Sequence, residues 1–489
     1  MVDTNYVYKI LNKTKRDINK NIQKQKYENA LSLISLCASF LYQTNIYYQD
    51  DDLEEATEIL SKELELNQFY SEEDYSADDD CLLFYDGFGV NDRGLIQIYL
   101  KALCKVKRVV YVTYEDRKEL IPDVQNILDG YKYERKYINR RKKSYIEQID
   151  QLNEIVKAYR PKRFFFYSLP YDVVATPIMF SYGKYMTRYQ INLTDHAYWL
   201  GTNCIDKCIE FRNYGAKISN EYRKIAKEKI VIIPFYPIIH REREFQGFPF
   251  EKRDDQKVIF SGGALYKTLG GDNKYYKIVD LILQKHEDTI FWYAGSGDDS
   301  ELKKILTKYP NRAFHTQERG DLLQVLEHSD VYLSTYPMCG GLMFQYAAMA
   351  GTVPVTLKSG NISDEFLINQ DSINIEFKEL SPLLEEVDRL LDEKEYASAR
   401  SKLMKESVIS ETVFDEEVRK LICDENGSVF PPNFEHIDTD EFRAWYLEGL
   451  NRSDIDAMFV TRNGIKLGVT HYPLRFFRGG VRILQRRCF

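Results

Sequence analysis

No run of about 18 apolar residues occurs in the 489-residue sequence, so no membrane-spanning helix is expected. The opening segment, MVDTNYVYKILNK, has no apolar signal core, which predicts a chain made and kept in the cytoplasm. Cysteine is sparse, at eight residues, and none fall in a paired metal-type spacing. Cys204 and Cys208 stand four apart in what reads as a helix start, with no second pair beside them. That pattern argues against a zinc site and fits buried thiols in a reducing compartment. Positive charge is in deficit too, with 67 Lys and Arg against 75 Asp and Glu, a net charge of −8 and a pI near 5.6. No nucleic-acid partner is expected from this balance. What is present is ordinary for a globular protein: 44% hydrophobic and 29% charged residues, and enough chain for two or three domains.

The most informative stretch runs from Asp330 to Val355, DVYLSTYPMCGGLMFQYAAMAGTVPV. VYLST is a short, β-branched apolar run suited to a buried strand. Pro337 and the pair Gly340-Gly341 make a turn, LMFQYAAMAG is a run of helix formers stopped by Gly351, and Thr352 to Leu357 is the next strand. Such a βαβ unit sets bare backbone N–H groups at the positive end of a helix, where an anion can dock. A plain tight turn in any α/β protein has the same pattern.

In chain order, YENALSLISLCASFLYQ and LEEATEILSKELEL read as two helices. No second copy of the pair occurs, which argues against a solenoid. A cap on the next domain and a contact in a homo-oligomer both fit. Ser71 to Asp80 holds six acidic residues in ten and reads as a solvated linker. After it come a strand at Leu82 to Tyr85, a turn at Gly87 and Gly89, an amphipathic helix from Arg93 to Val106, and the strand RVVYVTYE. The G-x-G here lacks the third glycine of a dinucleotide fingerprint, so a βα turn facing a ligand cleft is the better reading than an NAD site. Residues 115–160 read as charged and mostly helical, and KRFFFYSLP as a buried strand. QINLT is a strand that ends in Asp195-His196, where α/β enzymes place working groups. The imidazole suits proton transfer or a hydrogen bond to a sugar hydroxyl. A backbone-bonded histidine, with Asp195 capping a helix from Ala197, fits as well.

VIIPFYPII closes this half, and EFQGFPFEKRDD is a hinge. The second half repeats the strand–turn–helix order through VIFSG, TIFWYAGSGDD and RAFHTQERG, with Lys267 close enough to the first turn to neutralise a phosphate. SPLLEEVDRLLDEKEYASARSKLMKESV reads as one long charged helix. The order βαβαβαβ is that of a doubly wound parallel sheet. From Val460 to Phe489 there are seven Lys and Arg and no Asp or Glu. YPLRFFRGGVRILQRRCF interleaves arginine with apolar residues, which favours an anionic membrane surface. A tail folded back on the acidic body also fits, and Gly479-Gly480 predicts two short helical pieces.

SGGALYK, FWYAGSGDD, STYPMCGGLMFQYAAMAGTVPV, INLTDHAYWLG and YDGFGVNDRGLIQIYLKAL together resemble GT-B glycosyltransferases, in particular bacterial surface-polysaccharide transferases. The resemblance covers roughly residues 80–425. It implies two Rossmann-like doubly wound domains facing across a cleft, with an N-terminal helical extension and a basic C-terminal tail. The boundaries it suggests are residues 1–75 for the extension and acidic linker, 76–245 for an acceptor domain, 246–425 for a nucleotide-sugar domain and 426–489 for the C-terminal segment. It implies donor contacts at Gly263, Lys267, Thr316, Gln317, Gly340, Gly341, Leu342 and Gln345, an acceptor side at Gly89, Asp92 and Arg93, and work at His196 with Asp195.

The co-substrate would be a nucleotide-sugar donor, and the acceptor a glycan, lipid-linked or protein. Neither cofactor nor metal is expected, since beyond the acidic stretch ending at Asp80 no Asp-x-Asp motif occurs in either α/β half. Residues 473–489 would bring the protein to the inner face of the plasma membrane. One departure stands out: no glutamate occurs between Asp330 and Gly360, where many retaining members carry a pair. A nucleotide-sugar epimerase, or a non-catalytic GT-B-like subunit binding a glycan or a partner transferase, therefore stays open.

Overall fold

Strands apolar at nearly every position, such as LLFY and FFFY, have no face to give to water and must be covered on both sides, as in a parallel sheet. The computed structural model describes residues 4–67, 75–90, 95–239, 241–358, 366–368, 370–424, 428–448, 450, 452–461 and 464–488, and two such sheets form among them. The first holds β1 (Asp78–Asp86), β2 (Arg108–Tyr114), β3 (Tyr133–Ile138), β4 (Pro161–Tyr167), β5 (Thr187–Ile191), β6 (Lys207–Glu210) and β7 (Ile230–Ile232). Their order is β3-β2-β1-β4-β5-β6-β7, every pair parallel.

The second sheet holds β8 (Lys257–Gly262), β9 (Thr289–Ala294), β10 (Ala313–Thr316), β11 (Val331–Leu333), β12 (Val353–Leu357) and β13 (Glu376–Phe377), ordered β10-β9-β8-β11-β12-β13 and again parallel. Both follow the doubly wound order in which the third, second and first strands precede the fourth, fifth and sixth, the first sheet with one strand more. The pair of doubly wound α/β domains expected from the sequence is therefore present. In the first sheet Phe165 stacks on Tyr189 at 4.5 Å, and Phe84 lies parallel to Phe165 at 6.4 Å.

The chain divides into two compact units. One comprises Met1–Ile233, Asp415–His436 and Tyr446–Phe489; the other comprises Pro234–Phe414 and Ile437–Trp445. These divisions differ from the expected boundaries at residues 75, 245 and 425. The helices Thr4–Gln23, Tyr27–Thr44 and Asp51–Glu63 share one buried core with the first sheet, so they are not a separate module. Residues past 425 are divided between the units. Phe459 and Tyr472 enter the first unit's core, whereas Trp445 closes on Gly270 of the second and donates to the Leu269 carbonyl at 3.3 Å.

Five local readings are corrected. Asp78 to Asp80 belong to β1 rather than to a linker, with Asp78 and Asp79 paired to Arg108 and Arg163. The stretch 115–160 is mostly helical as expected, and also contains β3, a strand whose residues before the buried Ile138 are half-exposed and carry no apolar run. No helix starts at Ala197; residues 195–197 make a turn, Cys204 lies in a single 3-10 turn and Cys208 in β6. The long charged helix is two, Leu380–Asp392 and Lys394–Lys405, parted at Glu393. Gly479-Gly480 does not interrupt the last helix, Pro473–Cys488, because Gly479 packs on another helix, Arg452–Thr461; a Cβ there would lie 2.3 Å from the Asp456 carbonyl oxygen.

Candidate functional site

In a doubly wound sheet the ligand crevice opens where neighbouring strands send their chains to opposite sides. In the second unit that point lies between β8 and β11. The turn leaving β8 passes Gly263, whose φ of +125° glycine adopts without strain and whose missing Cβ faces open space. Its carbonyl accepts from the Tyr293 hydroxyl at 3.0 Å. Lys267 follows in the 3-10 turn Leu265–Thr268. The turn leaving β11 is closed by the Thr335 hydroxyl donating to the Met338 carbonyl at 2.7 Å. Met338 N–H donates to the Lys267 carbonyl at 3.3 Å, joining the two turns.

A Cβ on Gly340 would stand 3.6 Å from Lys267 Nζ. The helix Gly341–Ala350 begins there, and its first intrahelical bond runs from Phe344 N–H to the Gly340 carbonyl at 3.0 Å. The amides of Gly341, Leu342 and Met343 precede that bond and have no acceptor inside the helix. Thus Lys267 stands beside Gly340 at the start of the Gly341–Ala350 helix, where a lysine ammonium meets the positive end of a helix, and Gly263 opens the turn that carries Lys267.

The remaining donor-side residues stand differently. A Cβ on Gly341 would lie 2.3 Å from the Phe366 ring, so glycine is required there by packing as well as by any ligand. The Gln345 side chain is buried, and its amide donates to the carbonyls of Phe235 at 2.8 Å and Phe366 at 3.1 Å, which spends both N–H donors. The Thr316 carbonyl accepts Gly295 N–H and its hydroxyl accepts from Trp292 Nε1 at 3.0 Å, while Gln317 is exposed at the end of β10.

In the first unit, β5 delivers Asn192 to His196. Asp195 is buried, and Arg212 Nε donates to its Oδ2 at 2.6 Å. Burial pushes the Asp195 carboxyl up, but the Arg212 charge and hydrogen bonds from His196 and Arg212 override it and hold it at about 2. A carboxylate only accepts, so the 3.2 Å contact between Asp195 Oδ1 and His196 Nδ1 places the ring proton on Nδ1 and leaves the Nε2 lone pair. The His196 side chain is 24% exposed.

The loop is clamped from behind. Arg223 Nη2 donates to the carbonyls of Thr194, Asp195 and Ala197 at 2.9, 2.9 and 2.6 Å, and Asn45 Nδ2 to that of His196 at 2.9 Å. Glu54 accepts the N–H groups of Gly201, Thr202 and Asn203. Gly215 is obligatory beneath the loop, since a Cβ would meet Glu210 Oε2 at 2.2 Å and Asp195 Cβ at 3.1 Å. Sequence reading missed Arg212, Arg223, Glu54 and Glu210, because nothing in the spacing of these residues announces a cluster. Asp86, at the end of β1, was missed too. It accepts Phe88 and Gly89 N–H and the Tyr111 hydroxyl, and so builds the turn in which Gly89 sits at φ +60°. Asp92 and Arg93 lie outside the described residues.

Among solved structures, the chain is similar to a mutant O-GlcNAc transferase from Thermobaculum terrenum, with a TM-score of 0.51 and 14% identity over 86% of this chain and 84% of that one. It is also similar to a protein proposed as a UDP-N-acetylglucosamine 2-epimerase from Listeria monocytogenes, with a TM-score of 0.50 and 11% identity over 73% of this chain and 100% of that one. The fold is GT-B. No protein-family model and no curated protein sequence matches the chain. At such identities the likeness carries the GT-B fold alone, and chemistry has to be argued from this chain's own residues.

Proposed function

We propose that this GT-B protein is a glycosyltransferase that moves a sugar from a nucleotide-sugar donor to a glycan, lipid-linked or protein acceptor without a metal ion. What supports the reading is the meeting of Lys267 with the amide-lined start of the Gly341–Ala350 helix at the switch point of the second sheet. As the bond from sugar C1 to the phosphate oxygen breaks, the leaving diphosphate gains charge. A fixed ammonium and helix dipole favour that product-like charge over the ground state, the dipole by about 0.3–1 kcal/mol and up to ~2 when partly buried. The acceptor hydroxyl oxygen forms the new bond to C1 and gives up its proton to a base; in the first unit the group suited to that role is His196 Nε2, with Asp195 holding the tautomer.

Metal-independence is tested with EDTA, which is expected to leave transfer unchanged. A second reading, a nucleotide-sugar epimerase, is compatible with the same fold, which the Listeria monocytogenes protein shares. NMR of UDP-N-acetylglucosamine incubated with the protein separates the two, since a transferase needs an acceptor to turn over and an epimerase inverts C2 without one.

The last helix supports a further part of the reading, peripheral attachment to an anionic membrane. One side of Pro473–Cys488 packs through Gly479, and Arg475 pairs with the buried Asp456 at 3.1 Å. The opposite side carries Leu474, Phe477, Val481 and Leu484, each more than half exposed, at helical spacing. With seven basic and no acidic residues from 460 to 489, an anionic lipid surface is the complementary partner, at about 1 kcal/mol per basic residue near it.

A further inference from the structure

At the carboxyl end of the first sheet lies a cavity of about 360 Å³ that no expected site residue lines. The end of β2 and the loops after β3 and β4 wall it, together with the helices Tyr27–Thr44 and Tyr145–Tyr159. Its size is at the low end of the roughly 300–1,000 Å³ of small-molecule sites, room for one sugar ring rather than a nucleotide.

The charges are the informative part, because each charged lining group is already matched inside the protein. Arg140 Nη2 is bonded to Asp116 at 2.7 Å and stands 4.5 Å over the Tyr114 ring. Lys143 is paired with Glu147 at 2.8 Å. Glu28 accepts the N–H groups of Tyr145 and Ile146, at 3.0 and 3.1 Å, and so takes the helix start that an anionic ligand would want. Asp172 accepts from Tyr85 and Ser168 and from the N–H groups of Val174 and Ala175. With no surplus cation, the cavity is a poor host for a phosphate.

Asp172 is saturated by its four bonds, but Glu28 and the Arg140 guanidinium have more acceptor and donor positions than those bonds use. Three tyrosines, Tyr114, Tyr145 and Tyr171, line the space beside aliphatic Leu169, Val173 and Val174. Aromatic walls beside a carboxylate and a guanidinium with hydrogen-bonding positions to spare match a ring with one apolar face and a rim of hydroxyls.

We infer that this cavity binds a neutral monosaccharide unit. Its assignment to the acceptor glycan rests on the glycosyltransferase reading; its chemistry does not. The N-terminal helices, through Glu28 and Ser35, are then part of a binding site rather than only a cap.

The test is saturation-transfer NMR and calorimetry on the full chain with methyl glycosides of N-acetylglucosamine, glucose and galactose, on the wild type, Tyr145→Ala and Leu169→Trp. The first variant removes a wall and the second fills the space from a partly exposed position, so Leu169→Trp serves if Tyr145→Ala does not fold. At least one glycoside is expected to bind the wild type and to lose about tenfold or more in affinity in either folded variant. The shift in Tm caused by a nucleotide-sugar is expected to be the same in all three proteins. Absence of glycoside binding to the wild type, equal binding by the variants, or competition by inorganic phosphate would overturn the inference. Glycoside binding by a wild type that responds to no nucleotide-sugar would sink the transferase reading, and with it the assignment to an acceptor, and leave the cavity's binding of a monosaccharide standing.

Discussion

Asp195 and Arg212 meet at 2.6 Å with both side chains at most 3% exposed. Removing either charge leaves the other buried and uncompensated, so Asp195→Asn and Arg212→Met are predicted to cost about 3–5 kcal/mol, read as a fall in the urea midpoint. His196 is partly exposed and hangs from this pair. His196→Ala is therefore expected to keep stability within about 1 kcal/mol while transfer falls roughly 10²–10⁴-fold, the loss of a general base. The pH dependence follows from the same groups. The Asp195 carboxyl is held at about 2, below its unfolded value of about 3.9. Its stabilisation is present above that unfolded value and lost as pH falls through about 2. Glu54 has the opposite sign. Burial raises it to about 7 against the pull of the three N–H groups, so its contribution is complete below its unfolded value of about 4.3 and lost as pH rises through about 7. Urea melts across that interval should show stability declining with pH in the wild type and a flatter curve in Glu54→Gln. His196 was legible because a strand pointed to it. Its supports were not, because Arg212, Arg223 and Glu54 come from elements whose sequence pattern says nothing of where their side chains converge.

At the scale of elements, the last helix carries the clearest prediction. Replacing Leu474, Phe477, Val481 and Leu484 together by Ser touches only exposed positions. Cosedimentation with anionic vesicles is predicted to be lost while the Tm stays near its original value. Retention equal to the wild type would remove the membrane assignment. Gly479→Leu should act the other way, since its side chain would strike the Asp456 backbone; overpacking of that kind costs about 1–3 kcal/mol. Helix and strand existence was readable where apolar residues ran together, as in β1, β4 and β9. It was not readable for β3, where every residue before Ile138 is half-exposed, or for the four residues of β6. Glycine in a helix is ambiguous in the same way. A pair at 479–480 reads as a break until a neighbouring backbone is seen to need the space.

For the molecule as a whole, the repeated strand–turn–helix order was enough to predict two doubly wound sheets, and both strand orders agree. The division of the chain was not predictable from composition, because residues 437–445 join one unit while the segments on either side join the other. Tertiary contacts such as Trp445 against Gly270 decide that, and no local pattern marks them. The functional reading concentrates on the second unit, where Lys267 and the Gly341–Ala350 helix start are held together. The most direct measurement is thermal unfolding of the wild type and Lys267→Ala with UDP-, GDP-, dTDP- and CMP-sugars. One nucleotide class is predicted to stabilise the wild type, by about 2.7 kcal/mol at a concentration of 100 Kd, and to stabilise Lys267→Ala much less. No stabilisation by any class, or an equal shift in the variant, would contradict a diphosphate site at this turn.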